Sequence, residues 1–332
     1  MNKKVTWLSG LLALQLLLAV GIFYGENTTN GEVQVHPLLA FDKAGVNKVI
    51  INGGKEELDL QKRDGQWILP TLDNLPVDSA KLQKLLDSLA ALKTNWPVAT
   101  TSGSHERFKV AKDDFQRKVQ LLAGDKVVGQ LLVGTSPGFK KSNVRVPGDD
   151  AVYALAINSY DLPTRSTDWL DKTLLSAKDL DSIKGPDYQL QKTTGKWQLA
   201  DSGQDNANTD GNTLDQKKAQ QLSDAFAKLR VLDIARDNPD FSTADTVTID
   251  VKGAQSREYQ LLKHDDKYYI RRGDIKPAFM LSQYDYDRLA GVKRGSLWAS
   301  TDNGKESGKD AKPVNSLAHG SAPAPAKTGG KS

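Results

Sequence analysis

A segment built around a Gly-x-Trp motif occurs twice in the chain, and this duplication limits the possible folds more than any other feature. The first copy is LDLQKRDGQWIL at residues 58–69, and the second is YQLQKTTGKWQL at residues 188–199. In both copies alternating apolar residues flank a turn centred on glycine. This pattern is typical of a β-hairpin that turns its tryptophan, Trp67 or Trp197, inward. The neighbouring elements recur in the same order, which argues against a chance match.

Each hairpin is followed by an amphipathic helix. Asp78 and Asp215 are the predicted N-caps of the two helices. Apolar side chains then recur at helical spacing on one stripe of each helix, which predicts a face packed on a sheet. The stripes comprise Leu82, Leu85, Leu86, Leu89 and Leu92 in the first half, and Ala219, Leu222, Phe226 and Leu229 in the second. We expect the repeat core to include Trp67, Leu85, Leu89, Trp197, Leu222 and Phe226.

The elements around the hairpins and helices also recur. Leu38-Leu39 and Leu174-Leu175 precede the hairpins, and Trp169-Leu170 and Leu297-Trp298 close the two halves. Tyr160-Asp161 corresponds in this reading to Tyr286-Asp287. Further strand patterns occupy residues 119–122, 127–133 and 151–157 in the first half, and 247–251, 259–262, 268–270 and 278–281 in the second. The sequence predicts an α+β fold: an N-terminal transmembrane helix, then two tandem repeated units of mostly antiparallel sheet with one packed helix each.

The N-terminus carries an apolar run that is long enough to cross a bilayer. Lys3 and Lys4 precede it, and no charged residue interrupts residues 5–24. About 20 residues at about 1.5 Å rise each match the hydrocarbon thickness of about 30 Å. The flanking lysines favour a cytoplasmic N-terminus, with the rest of the chain outside the cytoplasm. The predicted anchor residues are Trp7, Leu8, Leu11, Leu12, Leu14, Leu16, Leu17, Leu18, Val20, Ile22, Phe23 and Tyr24.

A cleaved signal peptide is the competing interpretation of this run. The best small-x-small site is Ala19-Val20-Gly21, but the apolar run continues beyond it. We therefore expect a single-pass signal-anchor in a bacterial inner membrane, with the body in the periplasm or otherwise outside the cytoplasm. The predicted divisions are a cytoplasmic tip (1–6), a transmembrane anchor (7–24), a linker (25–37), the first α+β repeat (38–172), the second (173–298) and a disordered tail (299–332).

Composition excludes several classes of protein. The formal net charge is only +4 over 332 residues, and it comes from interspersed charges, whereas nucleic-acid binders concentrate positive charge on one face or tail. The chain has no cysteine, which excludes disulfides, thiolate metal sites and a cysteine nucleophile. It also excludes a bacterial lipoprotein, which needs a lipidated cysteine.

Three motifs that suggest chemistry fail on inspection. Residues 134–138, GTSPG, fit the G-x-S-x-G hydrolase pattern, but Pro137 has no N–H for an oxyanion hole, so a loop between strands is favoured. Residues 206–211, NANTDG, resemble half a calcium loop, yet Lys217 stands where a bidentate glutamate is needed. The four histidines lack zinc-site spacing; they are His36, His105, His264 and His319. We expect no catalytic, cofactor-binding or metal-binding residue.

Two small basic clusters remain. Lys140-Lys141 with Arg145, and Arg271-Arg272, lie near the ends of predicted strands. Such clusters are more often solvated faces than sites for anionic ligands.

The arrangement resembles a family of bacterial proteins known as domain-of-unknown-function family 4340, over roughly residues 38–298. The matching stretches are Leu38-Leu39-Ala40-Phe41, the hairpins Gly65-x-Trp67 and Gly195-x-Trp197, the helix starts Val77-Asp78 and Leu214-Asp215, Phe108-Lys109-Val110, Leu132-Val133-Gly134 and Val152-Tyr153. Many members have Tyr-Gly-Leu where this chain has Phe108-Lys109-Val110. Members are single-anchor envelope proteins, often encoded beside an ABC-type permease and a gliding-motility-type auxiliary subunit.

The resemblance implies an accessory role in an ABC-type envelope transport system. The leading hypothesis is a non-enzymatic, membrane-anchored protein that acts through protein–protein contacts, with a permease or auxiliary membrane protein as partner and no cofactor. The alternative is a ligand-binding module that presents lipid, glycan or peptide at the envelope. An envelope hydrolase is the third and least favoured hypothesis, because no catalytic constellation is visible.

Overall fold

The computed structural model describes residue 7 and residues 12–20, 35–200 and 213–299. Within these residues the chain forms two eight-stranded sheets, one from each half of the sequence. Within each sheet, every pair of neighbouring strands is antiparallel. The predicted α+β class and the antiparallel character of both repeats are therefore confirmed.

The first sheet has the strand order β4-β3-β2-β1-β5-β6-β7-β8. Strands β1, β5 and β6 lie side by side in the middle of this order, and their buried side chains contribute to the core. The strands are β1 (Lys48–Asn52), β2 (Glu57–Arg63), β3 (Gln66–Leu69), β4 (Leu75–Pro76), β5 (Arg117–Ala123), β6 (Lys126–Val133), β7 (Ser142–Arg145) and β8 (Tyr153–Leu155).

The second sheet has the order β11-β10-β9-β13-β14-β15-β16-β12. From β11 to β16 it repeats the order of the first sheet from β3 to β8, and it differs in the strand at each edge. The strands are β9 (Ser182–Lys184), β10 (Gln189–Thr193), β11 (Lys196–Leu199), β12 (Asp233–Ile234), β13 (Val247–Lys252), β14 (Ser256–His264), β15 (Lys267–Arg272) and β16 (Phe279–Leu281).

The two Gly-x-Trp segments form the same hairpin. Asp64 and Gly65 have φ of 50° and 81°, and Thr194 and Gly195 have φ of 48° and 81°. Two successive central residues with positive φ define the type I′ turn, which suits the twist of antiparallel strands and requires glycine or a tolerant residue. The shared glycine therefore sets the register of both hairpins.

One helix packs on the inner face of each sheet. Helix α1 (Ser79–Ala90) begins where the Asp78 carboxylate accepts the backbone N–H of Lys81 at 3.0 Å. Helix α2 (Gln216–Ala227) begins where Asp215 accepts the N–H of Lys217 at 2.9 Å. Such caps satisfy backbone donors that have no partner inside the helix. The buried stripes are Leu82, Leu85, Leu86 and Leu89 on α1, and Ala219, Leu222, Ser223, Ala225 and Phe226 on α2.

The secondary structure differs from the prediction at two places. The second repeat has an additional helix, α3 (Gln283–Ala290), which begins at Ser282 and packs on α2, so the expectation of one helix per repeat fails there. In the first repeat only a single turn, Ser159–Asp161, occupies this place, because Pro163 prevents its continuation. Strand β7 was also not predicted.

A smaller second core lies on the outer face of each sheet, under the loop that follows the helix. In the first repeat this core consists of Val110, Leu132 and Val152. Its loop is held by buried Arg145, which donates through Nε to the Val110 carbonyl at 2.8 Å. In the second repeat the core is Phe241, Leu262 and Tyr269, and its loop is held by Asp237.

Each repeat is closed at its trailing end, where its last tryptophan segment returns to the start of its helix. The Asp78 N–H donates to the Trp169 carbonyl at 2.7 Å, and the Asp215 N–H donates to the Leu297 carbonyl at 2.9 Å. The last segment and the residue before the helix cap form a β-bridge in each repeat, Val77 with Leu170 and Leu214 with Trp298. We call each of these closures a clasp.

The repeats follow each other head to tail. At the leading end of the first repeat, the Thr94 N–H donates to the His36 carbonyl at 2.8 Å. At the leading end of the second, the Val231 N–H donates to the Lys172 carbonyl at 2.9 Å. Lys172 comes directly after the clasp of the first repeat, so the trailing end of the first repeat meets the leading end of the second.

The N-terminal run is described only in part. Residues 12–20 are helical, and their leucines are solvent-exposed. No helix in the described part of the chain has both the length and the hydropathy of a membrane span. The predicted anchor residues Leu8, Leu11, Ile22, Phe23 and Tyr24 lie outside the described residues, as do the half calcium loop at 206–211 and residues 300–332.

Candidate functional site: a tyrosine cleft in each repeat

The first repeat has an open cleft of about 320 Å³ between α1 and the segment that follows β8. Helix α1 supplies the floor through buried Leu85, and the exposed ring of Tyr160 forms the opposite wall. We call it the first cleft. Its lining residues are Lys81, Lys84, Leu85, Ser88, Ala156, Ile157, Tyr160 and Asp161.

The second repeat has a cleft of about 400 Å³ in the corresponding place, between α2 and α3. Leu222 and Leu297 are buried beneath it, and Tyr284 forms its wall. We call it the second cleft. Its lining residues are Lys218, Gln221, Leu222, Tyr284, Arg288, Val292, Ser296 and Leu297.

The two clefts use the same positions of the repeat. On the helix side, Lys81 and Lys218 each lie three residues after the capping aspartate, and Leu85 and Leu222 lie one turn further. On the opposite side the tyrosine lies two residues after a capping residue, Asn158 for Tyr160 and Ser282 for Tyr284. The clefts are therefore the same structural feature built twice.

The lysine in each cleft is fixed by the clasp of its repeat. Lys81 Nζ donates to the Asp168 carbonyl at 2.7 Å and stands 4.6 Å from the centre of the Trp169 ring. Lys218 Nζ donates to the Trp298 carbonyl at 2.7 Å. Burial lowers the pKa of Lys81 from its ordinary value, while Asp168 and Asp78 oppose the shift. These lysines join the helix to the clasp and position the floor of the cleft.

The tyrosine of each cleft is available to a partner. Tyr160 is 88% exposed and Tyr284 is 68% exposed, although large aromatic side chains usually bury most of their surface. Arg288 stacks on Tyr284 with 5.1 Å between the guanidinium carbon and the ring centre. A planar, amphipathic ring held in place by its neighbours is a common anchor of protein interfaces.

The electrostatic character of the two clefts differs. The lining of the first cleft combines Lys81 and Lys84 with the carboxylate of Asp161. The lining of the second combines Lys218 and Arg288 and includes no carboxylate. The second cleft is therefore the more positive of the two.

The two linings hold few of the groups that are common in catalytic sites. Neither lining contains a histidine, and the carboxylate of Asp161 is the sole acidic group in the two sets. Across the described part of the chain, no three His, Cys, Asp or Glu side chains converge as a metal site. Each cleft combines a leucine floor, a tyrosine wall and a cationic rim. This combination is suited to binding a partner molecule.

The other motifs of the sequence have structural roles. Ser136, from the G-x-S-x-G match, lies in the loop between β6 and β7, where its Oγ donates to the Gly138 and Lys141 carbonyls at 2.8 and 2.7 Å. Loop closure therefore occupies the hydroxyl, and no helix follows it. His105 is buried, and its Nε2 lies 3.0 Å from the Asp150 carbonyl oxygen. His264 is exposed at the turn between β14 and β15, and His319 lies outside the described residues.

The two basic clusters are divided between surface and interior. Arg145 turns inward to the Val110 carbonyl, away from the exposed pair Lys140-Lys141. Arg272 is also buried, and its guanidinium donates to Asp274 and to the Leu174 carbonyl. Each cluster therefore loses one cation to internal hydrogen bonds, and neither forms an anion site.

The predicted core residues occupy the following places. Leu85, Leu89, Leu222 and Phe226 are buried on the two helices. Trp197 is 2% exposed, whereas Trp67 is half-buried and packs at the edge of the core. Leu85 and Leu222 also line the clefts.

The clefts themselves were not predicted. The sequence predicts that Tyr160-Asp161 corresponds to Tyr286-Asp287. In the structure the counterpart of Tyr160 is Tyr284. Tyr286 packs instead on Tyr268, with 5.0 Å between the two ring centres. The spacing from the capping residue would have identified the correct tyrosine. The lysine three residues after each capping aspartate was a second available signal.

Comparison with known proteins identifies one relationship. A family model described as a domain of unknown function (DUF4340) matches residues 67–249, which is more than half of the chain. The match begins at Trp67, inside the first hairpin, and includes the second Gly-x-Trp hairpin and both packed helices. No curated protein and no solved structure gives a significant match.

Proposed function

The chain belongs to the DUF4340 family, and on that premise we propose that it is a non-enzymatic, membrane-anchored accessory protein of an ABC-type envelope transport system. Its body lies outside the cytoplasm and acts through protein–protein contacts. The observation that carries the proposal is the tyrosine cleft that is present in each repeat.

The duplication favours a macromolecular partner. Two similar clefts on consecutive, directly joined repeats offer two related contacts to one partner or to two copies of a subunit. Linked contacts of this kind raise the overall affinity, because the second binding event is intramolecular. The clefts are open to solvent, whereas small-molecule sites enclose most of their ligand.

The location rests on the N-terminal run. Within residues 12–20, the side chains of Leu12, Leu14, Leu16, Leu17 and Leu18 are each more than half exposed. An exposed apolar helix needs a partner, and an uninterrupted apolar run of this length is suited to a bilayer. The class of partner comes from the resemblance, since similar proteins are encoded beside ABC-type permeases.

Affinity purification tests the proposal directly. The full chain, tagged after Ser332, is extracted from bacterial membranes in a mild detergent, and the captured proteins are identified by mass spectrometry. We expect an ABC-type permease or auxiliary membrane subunit to co-purify. We expect the double variant Tyr160→Ala/Tyr284→Ala to lower its recovery about tenfold or more, since aromatic anchors of an interface contribute about 2 kcal/mol or more each.

The matched control is Asp265→Asn, at an exposed turn remote in sequence from both clefts, because asparagine tolerates the positive φ of 47° at this position. It should leave recovery unchanged. Absence of any permease or ATPase subunit from the wild-type sample would refute the accessory role. Equal recovery with the double variant would show that the partner binds elsewhere.

One observation favours the alternative, a module that binds and presents lipid, glycan or peptide. The second cleft joins Lys218 and Arg288 to an apolar floor without an acidic neighbour in its lining, and this combination fits an anionic amphipathic ligand. Native mass spectrometry of the purified protein distinguishes the two functions. A co-purifying small molecule that is lost in Arg288→Gln would favour presentation over scaffolding.

A further inference from the structure

The leading end of the first repeat is where the chain arrives from the N-terminal run. The His36 N–H donates to Thr94 Oγ1 at 2.9 Å, and the Thr94 N–H returns to the His36 carbonyl at 2.8 Å. Pro37 and Lys93 form a β-bridge beside this pair. The incoming chain is therefore fixed against the segment that follows α1.

Large apolar side chains are exposed at this same place. Trp96 is 71% exposed, and Val35 and Val98 are 58% and 45% exposed. Lys93 is also exposed among them. We call these four residues the tether face. An exposed tryptophan beside further apolar groups indicates a surface that is normally covered.

The corresponding end of the second repeat is joined to the first repeat by hydrogen bonds, although Leu232 in it stays 53% exposed. There, the Lys172 ammonium donates to the Leu232 carbonyl. The Asp168 carboxylate raises the pKa of Arg165, and Asp233 across the junction adds to this shift. Partial burial lowers the pKa of Lys172, while Asp233 and Asp168 oppose the shift. The segment that leads into the first repeat is the N-terminal run.

We propose that the tether face lies in the headgroup region of the bilayer that holds the N-terminal run, with Trp96 as the interfacial anchor. The inference rests on the proposed membrane anchor. It adds how the folded body is oriented relative to the bilayer. Tryptophan is enriched at membrane–water interfaces, and lysine beside it favours anionic headgroups.

The length of the connecting chain supports this occupant. Residues 25–34 separate the apolar run from Val35, and ten residues span at most about 35 Å. The tether face therefore stays close to the bilayer, which raises the local concentration of lipid around it. At this high local concentration of lipid, even a weak contact between the tether face and the headgroups is sufficient to orient the body.

The absence of cysteine allows a clean test, because one introduced cysteine is the sole labelling site. The full chain carrying Trp96→Cys, or Val98→Cys as a second position, is labelled with a small environment-sensitive fluorophore. It is then reconstituted in phosphatidylethanolamine–phosphatidylglycerol vesicles. Quenching by lipids that carry a nitroxide near the headgroup reports the distance of the label from the bilayer.

Gly295→Cys is the matched control. It lies at the trailing end of the second repeat, and a Cβ at this position meets no atom within 4 Å. We expect severalfold stronger quenching at positions 96 and 98 than at 295. Quenching at 96 should weaken when phosphatidylcholine replaces the anionic lipid.

Equal quenching at 96, 98 and 295 in vesicle-bound protein would overturn the orientation while leaving the anchor intact. If the protein washes off the vesicles, both the proposed membrane anchor and this inference are refuted. Failure of the permease to co-purify would refute the transport role alone, because the vesicle assay contains no partner protein.

Discussion

The two repeats close the same edge of their sheets with different chemical groups. In the first repeat the outer hairpin strand is covered by backbone, and the Val77 N–H donates to the Trp67 carbonyl at 2.9 Å. In the second repeat the side-chain amide of Gln216 takes this place. It donates to the Trp197 carbonyl at 2.7 Å and accepts the Trp197 N–H at 2.9 Å.

This difference shows which part of the repeat is essential. An open edge strand leaves backbone donors and acceptors without partners and invites pairing with other chains. A glutamine side chain carries the same amide group as a peptide and can replace one strand position. The closure of the edge is kept in both repeats, while the residues that provide it differ.

The largest effect should come from the tryptophans of the two hairpins. Trp197 is almost fully buried and its indole N–H donates to Gln220, whereas Trp67 is half-buried. Trp197→Ala should lower the free energy of unfolding of the second repeat by about 3–5 kcal/mol. Trp67→Ala should cost the first repeat about 1–2 kcal/mol. Urea denaturation of the full chain followed by circular dichroism measures both, and equal losses would contradict the difference in burial.

The next effect concerns the glutamine that closes the second edge. Gln216→Ala removes both hydrogen bonds to Trp197 and should destabilise the second repeat by about 1–2 kcal/mol. Its positional counterpart is Ser79, whose weak contact is a 3.5 Å hydrogen bond to the Val77 carbonyl. Ser79→Ala should change stability by less than about 0.5 kcal/mol. Hydrogen exchange at the Trp197 amide should accelerate in Gln216→Ala, and an unchanged rate would show that the edge is closed by other groups.

The smallest expected effect is a pH dependence of stability that distinguishes the outer loop of the second repeat from that of the first. Hydrogen bonds from Tyr269 and Lys267 lower the pKa of Asp237 from 3.8 to about 2. Because the folded pKa lies below the unfolded one, the ionised carboxylate stabilises the second repeat above about pH 4, and this contribution is lost as the pH falls through about 2. In the first repeat the equivalent loop is held by Arg145, whose guanidinium donates to the Val110 carbonyl.

Asp237→Asn should therefore lower the urea midpoint of the second repeat at pH 7, and this effect should shrink as the pH falls from about 4 through about 2. The control is Asp125→Asn, at the exposed turn between β5 and β6, which should change neither value. A difference between wild type and Asp237→Asn that stays constant with pH would refute the assigned hydrogen bonds as its cause.

Local sequence signals explain which parts of this fold could be predicted. Gly65 and Gly195 mark the hairpin turns, and Asp78 and Asp215 mark the helix starts, because backbone conformation at these points depends on one or two residues. Strand β7 gives no such signal. Its Ser142, Asn143 and Arg145 are buried polar residues, and their burial depends on partners distant in the sequence, such as Val110 for Arg145.

The clefts were missed for a related reason. A helix stripe identifies Leu85 and Leu222 as core, but it does not show that a second element leaves part of that core accessible. That arrangement depends on where Tyr160 and Tyr284 return to the helix, which is a long-range property of the chain. The apolar stripe predicted the floor of each site and could not predict its wall.

The clasps also determine when each repeat can fold during synthesis. The clasp of the first repeat needs Trp169 and Leu170, and that of the second needs Leu297 and Trp298, so each needs the last residues of its unit. Because the chain is made from its N-terminus, α1 stays without its closing segment until about residue 170 has left the ribosome. The first repeat therefore completes before the second, and each unit closes in a single late step. A stop just before Trp298 would leave a complete first repeat and an open second one.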